Sequence, residues 1–192
     1  MKDPVLLTGL VQKAQQANQD VQQYFSTLSF HQLNWRPAPL AWSIGQCLDH
    51  LVVSDLHYFP TLKQIAAGQY EMKPWEKWNP LRGIFGKMLV LSMQEQPKKK
   101  YRAPRIFLPE EQPIQPVNLL ERFTKHQESL VGYLQAFHRT DLDQIQITSP
   151  ASRLVTYSLR HALIVLLQHQ YRHINQARRV ENHADFPRPG ES

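Results

Sequence analysis

The sequence predicts an all-α protein, a four-helix bundle with a long crossover between its second and third helices. Three observations carry this. Four segments, each of roughly twenty or more residues, repeat apolar side chains at helical spacing. No segment alternates apolar and polar residues as a half-buried strand would. The prolines, fourteen against seven glycines, gather between the periodic segments at Trp35–Leu40, Met72–Pro80 and Pro97–Pro116 and in the C-terminal tail, where a proline interrupts no helix.

Asp3 followed by Pro4 reads as an N-cap and first helical residue, and Leu6, Leu7, Leu10, Ala14, Ala17, Val21 and Phe25 continue at helical spacing. This predicts a first helix ending near Leu28. Ser29 to Ala41 carries Pro37 and Pro39 and reads as an extended connection. Ser43 with Gln46 three residues on forms a capping box, with Trp42 and Cys47 placed as a hydrophobic staple, so the second helix starts at Ile44. It runs through Leu48, Leu51, Leu56 and Phe59 to Ala67, with Gly68 as its C-terminal cap and a kink at Pro60.

From Gln69 to Pro116 the periodicity dissolves, apart from a short helix at Leu81–Met93; a connection this long usually has a task. Asn118 with Glu121 reads as a capping box opening the third helix, which continues through Leu119, Phe123, Leu130 and Leu134 to Phe137. Gly132 inside it costs about 1 kcal/mol relative to Ala. After a linker at Asp141–Ser149, Leu159–Val180 is the fourth helix, with Ser158 preferred as N-cap over an earlier start at Ser149-Pro150. The chain beyond Asn182 reads as a frayed tail. One domain over residues 1–182 and a tail over 183–192 follow, since 192 residues suit a single core.

Composition narrows the function. With 42% hydrophobic and 20% charged residues, neither a disordered chain nor a membrane protein fits. A net charge of +6 biases encounters toward anions but is scattered, and the one tight run, Lys98–Lys100, reads as a solvated loop, so nucleic acid is disfavoured as a partner. The single cysteine, Cys47, excludes an internal disulfide and a cysteine-cage zinc site, which suggests a reducing compartment. The start Met1-Lys2-Asp3-Pro4 lacks the pattern of a signal peptide and no apolar stretch spans a bilayer; the expectation is a cytoplasmic protein.

His169 and His173 stand four residues apart on the fourth helix, a turn of about 400°, so both imidazoles point the same way about one pitch apart. That is metal-ligand spacing. A third ligand should come from the apolar face of another helix, where a polar residue is out of place without a partner. His50, between Leu48 and Leu51, meets that description. Three inward imidazoles on two helices give a divalent cation three ligands and leave a position open for water or substrate, which points to catalysis. His57, nearly on the face of His50, His126 on the third helix and His161 two turns before His169 are further candidates to join the site.

Two motifs also resemble a known family. Trp42-Ser43-Ile44-Gly45-Gln46-Cys47-Leu48-Asp49-His50-Leu51 and His169-Gln170-Tyr171-Arg172-His173-Ile174-Asn175-Gln176 resemble those of the DinB-like superfamily, in particular its YfiT-like metal-dependent hydrolases. Leu33-Asn34-Trp35-Arg36-Pro37 and Tyr101-Arg102-Ala103-Pro104 with Pro109 add to the likeness, which extends over the full length. The resemblance implies an up-down-down-up four-helix bundle, a divalent-metal site on His50, His169 and His173, a homodimer and a bacterial cytoplasmic origin. Characterised relatives include transferases and isomerases that use small thiols, so the exact activity does not carry over.

The expected chemistry is metal-assisted attack by water, giving hydrolysis, or by a low-molecular-weight thiol, giving S-transfer onto a small-molecule substrate. Zinc is the first expectation for the metal; nickel, iron or manganese also fit three imidazoles. Hydrolysis usually wants a general base, yet Gln170 inside the histidine pair is an amide. Asp49 points about 100° away from His50 and suits a salt bridge. Gln46 lies one turn before His50 and is a candidate to bond a ligand or substrate, as are Arg172 and Gln176, though a capping, crossover or dimer role also explains them. The competing class is a non-catalytic metal- or ligand-binding bundle serving stress response or interaction.

Overall fold

The computed structural model describes residues 2–93, 104–109, 111 and 113–188, so the Lys98–Lys100 run, Tyr101-Arg102-Ala103 and the last residues of the tail lie outside the described residues. It is mostly helical. The helices are α1 (Pro4–Phe25), α2 (Phe30–Asn34), α3 (Ile44–Leu56), α4 (Phe59–Ala66), α5 (Pro74–Trp78), α6 (Arg82–Ser92), α7 (Pro116–Ala136) and α8 (Leu159–Glu181). Two strands, β1 (Gln146–Ser149) and β2 (Ser152–Ser158), form an antiparallel hairpin.

Local chemistry sets most of these ends. Asp3 accepts the Leu6 N–H at 3.0 Å and Pro4 occupies the first turn of α1. Ser43 and Gln46 close a reciprocal capping box at the start of α3, and Ser158 accepts the His161 N–H at the start of α8. Gly68 ends α4 at φ 67°, a left-handed conformation that other residues rarely adopt.

Several expectations need correction. Helix α1 stops at Phe25. The stretch after it is not wholly extended: Ser29 and Gln32 make a second capping box that opens α2. The expected kink is a break. A proline ring clashes with the carbonyl four residues back, and for Pro60 that residue is Leu56, where α3 ends; Pro60 then sits in the first turn of α4. Helix α7 begins with Pro116 at its first position after Gln115, so Asn118 lies inside the first turn instead of capping it, and Glu121 pairs with Lys125 one turn on. The expected linker folds into the hairpin, with Ile147 opposite Tyr157, both buried. The tail is not frayed through residue 188: Phe186 meets the Trp35 ring edge-on at 5.6 Å and Gln32 donates to the Pro187 carbonyl at 2.9 Å.

Helices α1 and α3 each pack against both α7 and α8. The apolar core falls into two clusters. One joins Leu7 and Leu10 of α1 to Phe59 and Leu62 of α4, Leu130 and Leu134 of α7 and Leu163 of α8. The other joins Val21 and Phe25 of α1 to Cys47, Leu48 and Leu51 of α3, Phe123 of α7 and Ile174 of α8. The amino-terminal part of α1 and α8 therefore meets the carboxyl-terminal part of α7 in the first cluster. In the second, this pairing of ends is reversed. Between the clusters lie buried polar side chains of α3, α7 and α8, among them Asp55, His126 and Gln170. Among the described residues no helix is long and apolar enough to cross a membrane.

Candidate metal centre

Helix α3 starts under its capping box, and nearly every residue from Ile44 to Asp55 is buried, so His50, 2% exposed, enters the interior with the leucines around it. Helix α8 packs against α3 and offers His169 and His173 from one face. One ligand atom of each of His50, His169 and His173 lies within 4.8 Å of the others. The Nε2 atoms of His50 and His169 are 3.0 Å apart, and the three ring centroids are separated by 4.6–4.9 Å with rings nearly perpendicular. A tetrahedral cation with bonds of about 2.0–2.1 Å holds neighbouring nitrogens about 3.3 Å apart, close to the separation of the His50 and His169 Nε2 atoms.

Burial holds all three imidazoles neutral. His50 is lowered by desolvation, partly opposed by the Phe107 carbonyl. His169 lies well below its ordinary value through burial and the neighbouring His173 and His50. His173 is pushed down to about 3 by burial first and His50 second, with Gln176 opposing. Neutral rings keep a lone pair for a cation. The Phe107 carbonyl can only accept, so His50 Nδ1 is the protonated nitrogen and donates to it at 2.5 Å, leaving Nε2 free to ligate. His173 Nδ1 is buried without a hydrogen-bond partner, an orphan that a cation or a solvent molecule would satisfy. On these observations the three residues fit a divalent metal ion.

Trp42 covers the group, its ring 4.8 Å from His50 and 5.7 Å from His173, and packs on the core cluster that contains Cys47. The wall and the helix start are thus one piece of sequence. Gln46 is occupied by the capping box: its Oε1 accepts from the Ser43 N–H and its own N–H donates to Ser43 Oγ. Gln176 follows His173 by one turn on α8 and partly opposes the lowering of its pKa. Arg172 donates from Nη1 to the Ser92 carbonyl at 3.0 Å, at the carboxyl end of α6, which is where a cation suits the helix dipole.

The other histidines stand elsewhere. His57 ends α3 and bonds the Ile106 carbonyl at 3.1 Å. His161 pairs with Ser158 Oγ at 2.7 Å and fills the crossing of α6 on α8, where a Cβ at Gly86 would lie 2.6 Å from its ring. His126, buried on α7, stacks on Phe59 and places Nε2 3.1 Å from Asp55 Oδ2. Asp49 pairs with Arg122 of α7 at 3.1 Å, the interhelical salt bridge its position suggests, although its side chain is fully buried.

Gln170 donates to Asp55 Oδ2 at 2.8 Å, away from the imidazoles. Its amide character therefore does not bear on the missing general base; the residue needs a donor to meet a carboxylate. Sequence reasoning missed Asp55 and the Phe107 carbonyl. A signal existed for the first, an acid five residues after His50 within an apolar stretch. None exists for a backbone carbonyl brought in by the crossover.

The family model described as the DinB superfamily matches residues 13–177, a span that includes all three histidines. No curated protein and no solved structure matches the chain.

Proposed function

The chain belongs to the DinB superfamily, and from that membership together with its buried histidine cluster we propose that it is a metal-dependent enzyme built on His50, His169 and His173. The observation that carries the reading is the convergence of three neutral imidazoles, two from α8 and one from α3, with free lone pairs. A divalent cation held there, zinc foremost with nickel, iron or manganese as alternatives, supplies Lewis acidity that brings the pKa of a water or a small thiol toward neutrality.

The protein's own residues do the rest. The Phe107 carbonyl fixes the tautomer of His50. Trp42 shields one side from solvent, and Arg172, anchored by one nitrogen, retains N–H groups for an anionic part of a substrate. The wider reading is one domain over residues 1–182 with its long helices in up-down-down-up order, in a cytoplasmic homodimer without a nucleic-acid partner. The pairing of helix ends in the two core clusters supports the order of the helices.

A non-catalytic metal- or ligand-binding bundle is the second reading. It is favoured by the two acids of α3, since Asp49 is engaged by Arg122 and Asp55 by Gln170. The test has two stages. Purified protein should carry about one transition metal per chain. Metal-loaded protein is then offered model esters, and separately an electrophile with a low-molecular-weight thiol. Turnover of the first identifies a hydrolase, of the second an S-transferase, and inactivity in both with each of the four metals refutes the enzyme reading.

A further inference from the structure

The layer between the two apolar clusters contains a carboxylate that does not touch the three histidines. Asp55 is 0% exposed; its Oδ2 accepts from Gln170 Nε2 at 2.8 Å, which ties α3 to α8, and lies 3.1 Å from His126 Nε2 of α7, a buried nitrogen that makes no hydrogen bond. Its Oδ1 and Gln170 Oε1 are buried without hydrogen-bond partners. For stability alone this is a poor arrangement. Burying a carboxylate carries a large desolvation penalty, and well-packed apolar residues in place of buried ionic groups are often neutral or stabilising.

The placement of Gln170 shows what the arrangement achieves. On a helix that turns about 100° per residue, Gln170 lies about 80° to one side of the direction shared by His169 and His173, and Arg172 about 80° to the other. Gln170 is tied inward to Asp55, while Arg172 is tied to the Ser92 carbonyl. Two clamps, one on each flank, fix the rotation of α8 about its axis. The inner clamp starts from α3, the helix that supplies His50, so it also fixes the two ligand-bearing helices relative to each other.

We propose that Asp55 is a positioning residue for the three-histidine centre, acting through Gln170 to hold α8 at the rotation that brings His169 and His173 onto His50. This rests on the metal reading above. A rotation of α8 by about 20° would swing an imidazole nitrogen, about 6 Å or more from the helix axis, by about 2 Å, which is as long as a metal–nitrogen bond. A well-packed apolar pair in place of Asp55 and Gln170 would leave that rotation unspecified.

The test is cobalt(II) binding to the metal-stripped full chain, followed by visible absorption and isothermal titration, with folding checked by circular dichroism. Asp55→Leu and Gln170→Leu should each bind cobalt at least tenfold more weakly than wild type and show an altered absorption band. Asp55→Asn, which keeps an acceptor for Gln170, should stay within about threefold of wild type. Leu130→Ala, a change in the first apolar cluster that removes no polar group of this layer, should lose thermal stability without losing cobalt affinity. Wild-type affinity and spectrum in both folded leucine variants would overturn the proposal, as would an equal loss of affinity in Leu130→Ala. If one leucine variant fails to fold, the other decides. A wild-type protein that binds no cobalt would instead bring down the metal reading itself.

Discussion

Replacing Gln170 by Glu puts a carboxylate where the structure needs a donor, and the cost can be worked out. The wild-type amide stands 2.8 Å from Asp55 Oδ2, both side chains fully buried. Two ionised carboxylates at that distance inside a protein do not coexist, so the new acid stays protonated and donates to Asp55. Holding a group of ordinary pKa about 4.3 neutral at pH 7 costs about 1.36 kcal/mol per unit over 2.7 units, or about 3.7 kcal/mol. The folded pKa is raised above the unfolded one, so stability is full below pH about 4.3 and is lost as pH rises. The variant's deficit relative to wild type should therefore shrink by about 2 kcal/mol between pH 7.0 and pH 5.5. Urea denaturation of metal-stripped wild type and Gln170→Glu at both pH values measures it, and the comparison cancels groups common to the two proteins. A deficit under about 1 kcal/mol at pH 7, or one that does not change with pH, would refute the placement of Gln170 against Asp55.

Other predictions follow from the same structure. Cys47 is fully buried and its thiol is pushed up to about 12 by desolvation, so a thiol-specific reagent should leave the folded protein untouched at pH 8 and react fully in denaturant. Leu51, buried in the cluster beside the metal centre, should cost about 2–5 kcal/mol of unfolding free energy when changed to Ala. Arg160 holds Asp143 below its usual range and, after the Leu6 N–H, does the same for Asp3. Those lowered carboxyl groups stabilise above pH about 3.8 and lose the contribution as pH falls through their folded values. Arg160→Gln should thus show a melting-temperature deficit that is flat from pH 7 to 5 and shrinks below pH 4.

What the sequence revealed was whatever local chemistry determines. Asp3-Pro4, Ser43 with Gln46, Ser158 and Gly68 each act through their own neighbours, and the helix ends they mark were readable one residue at a time. The four-residue spacing of His169 and His173 was readable for the same reason. Pro60 was legible as a disturbance, but whether it bends a helix or separates two depends on the packing of Phe59 and Leu62 into the core. The hairpin was obscured because β2 has exposed Leu154 and buried Tyr157 and Ser158, without clean alternation. Val155-Thr156-Tyr157 after the turn at Pro150-Ala151 was the available sign. Asp55 stayed hidden because its partners, His126 and Gln170, come from two other helices. A pairing across that much sequence leaves no spacing to read.

The most direct measurement is an anomalous-difference map from crystals of the metal-loaded protein, collected at the absorption edge of the bound metal. A single strong peak about 2.0–2.1 Å from one ring nitrogen of each of His50, His169 and His173 is expected. A peak at His57, His126 or His161 instead, or no peak in protein shown to hold stoichiometric metal in solution, would contradict it.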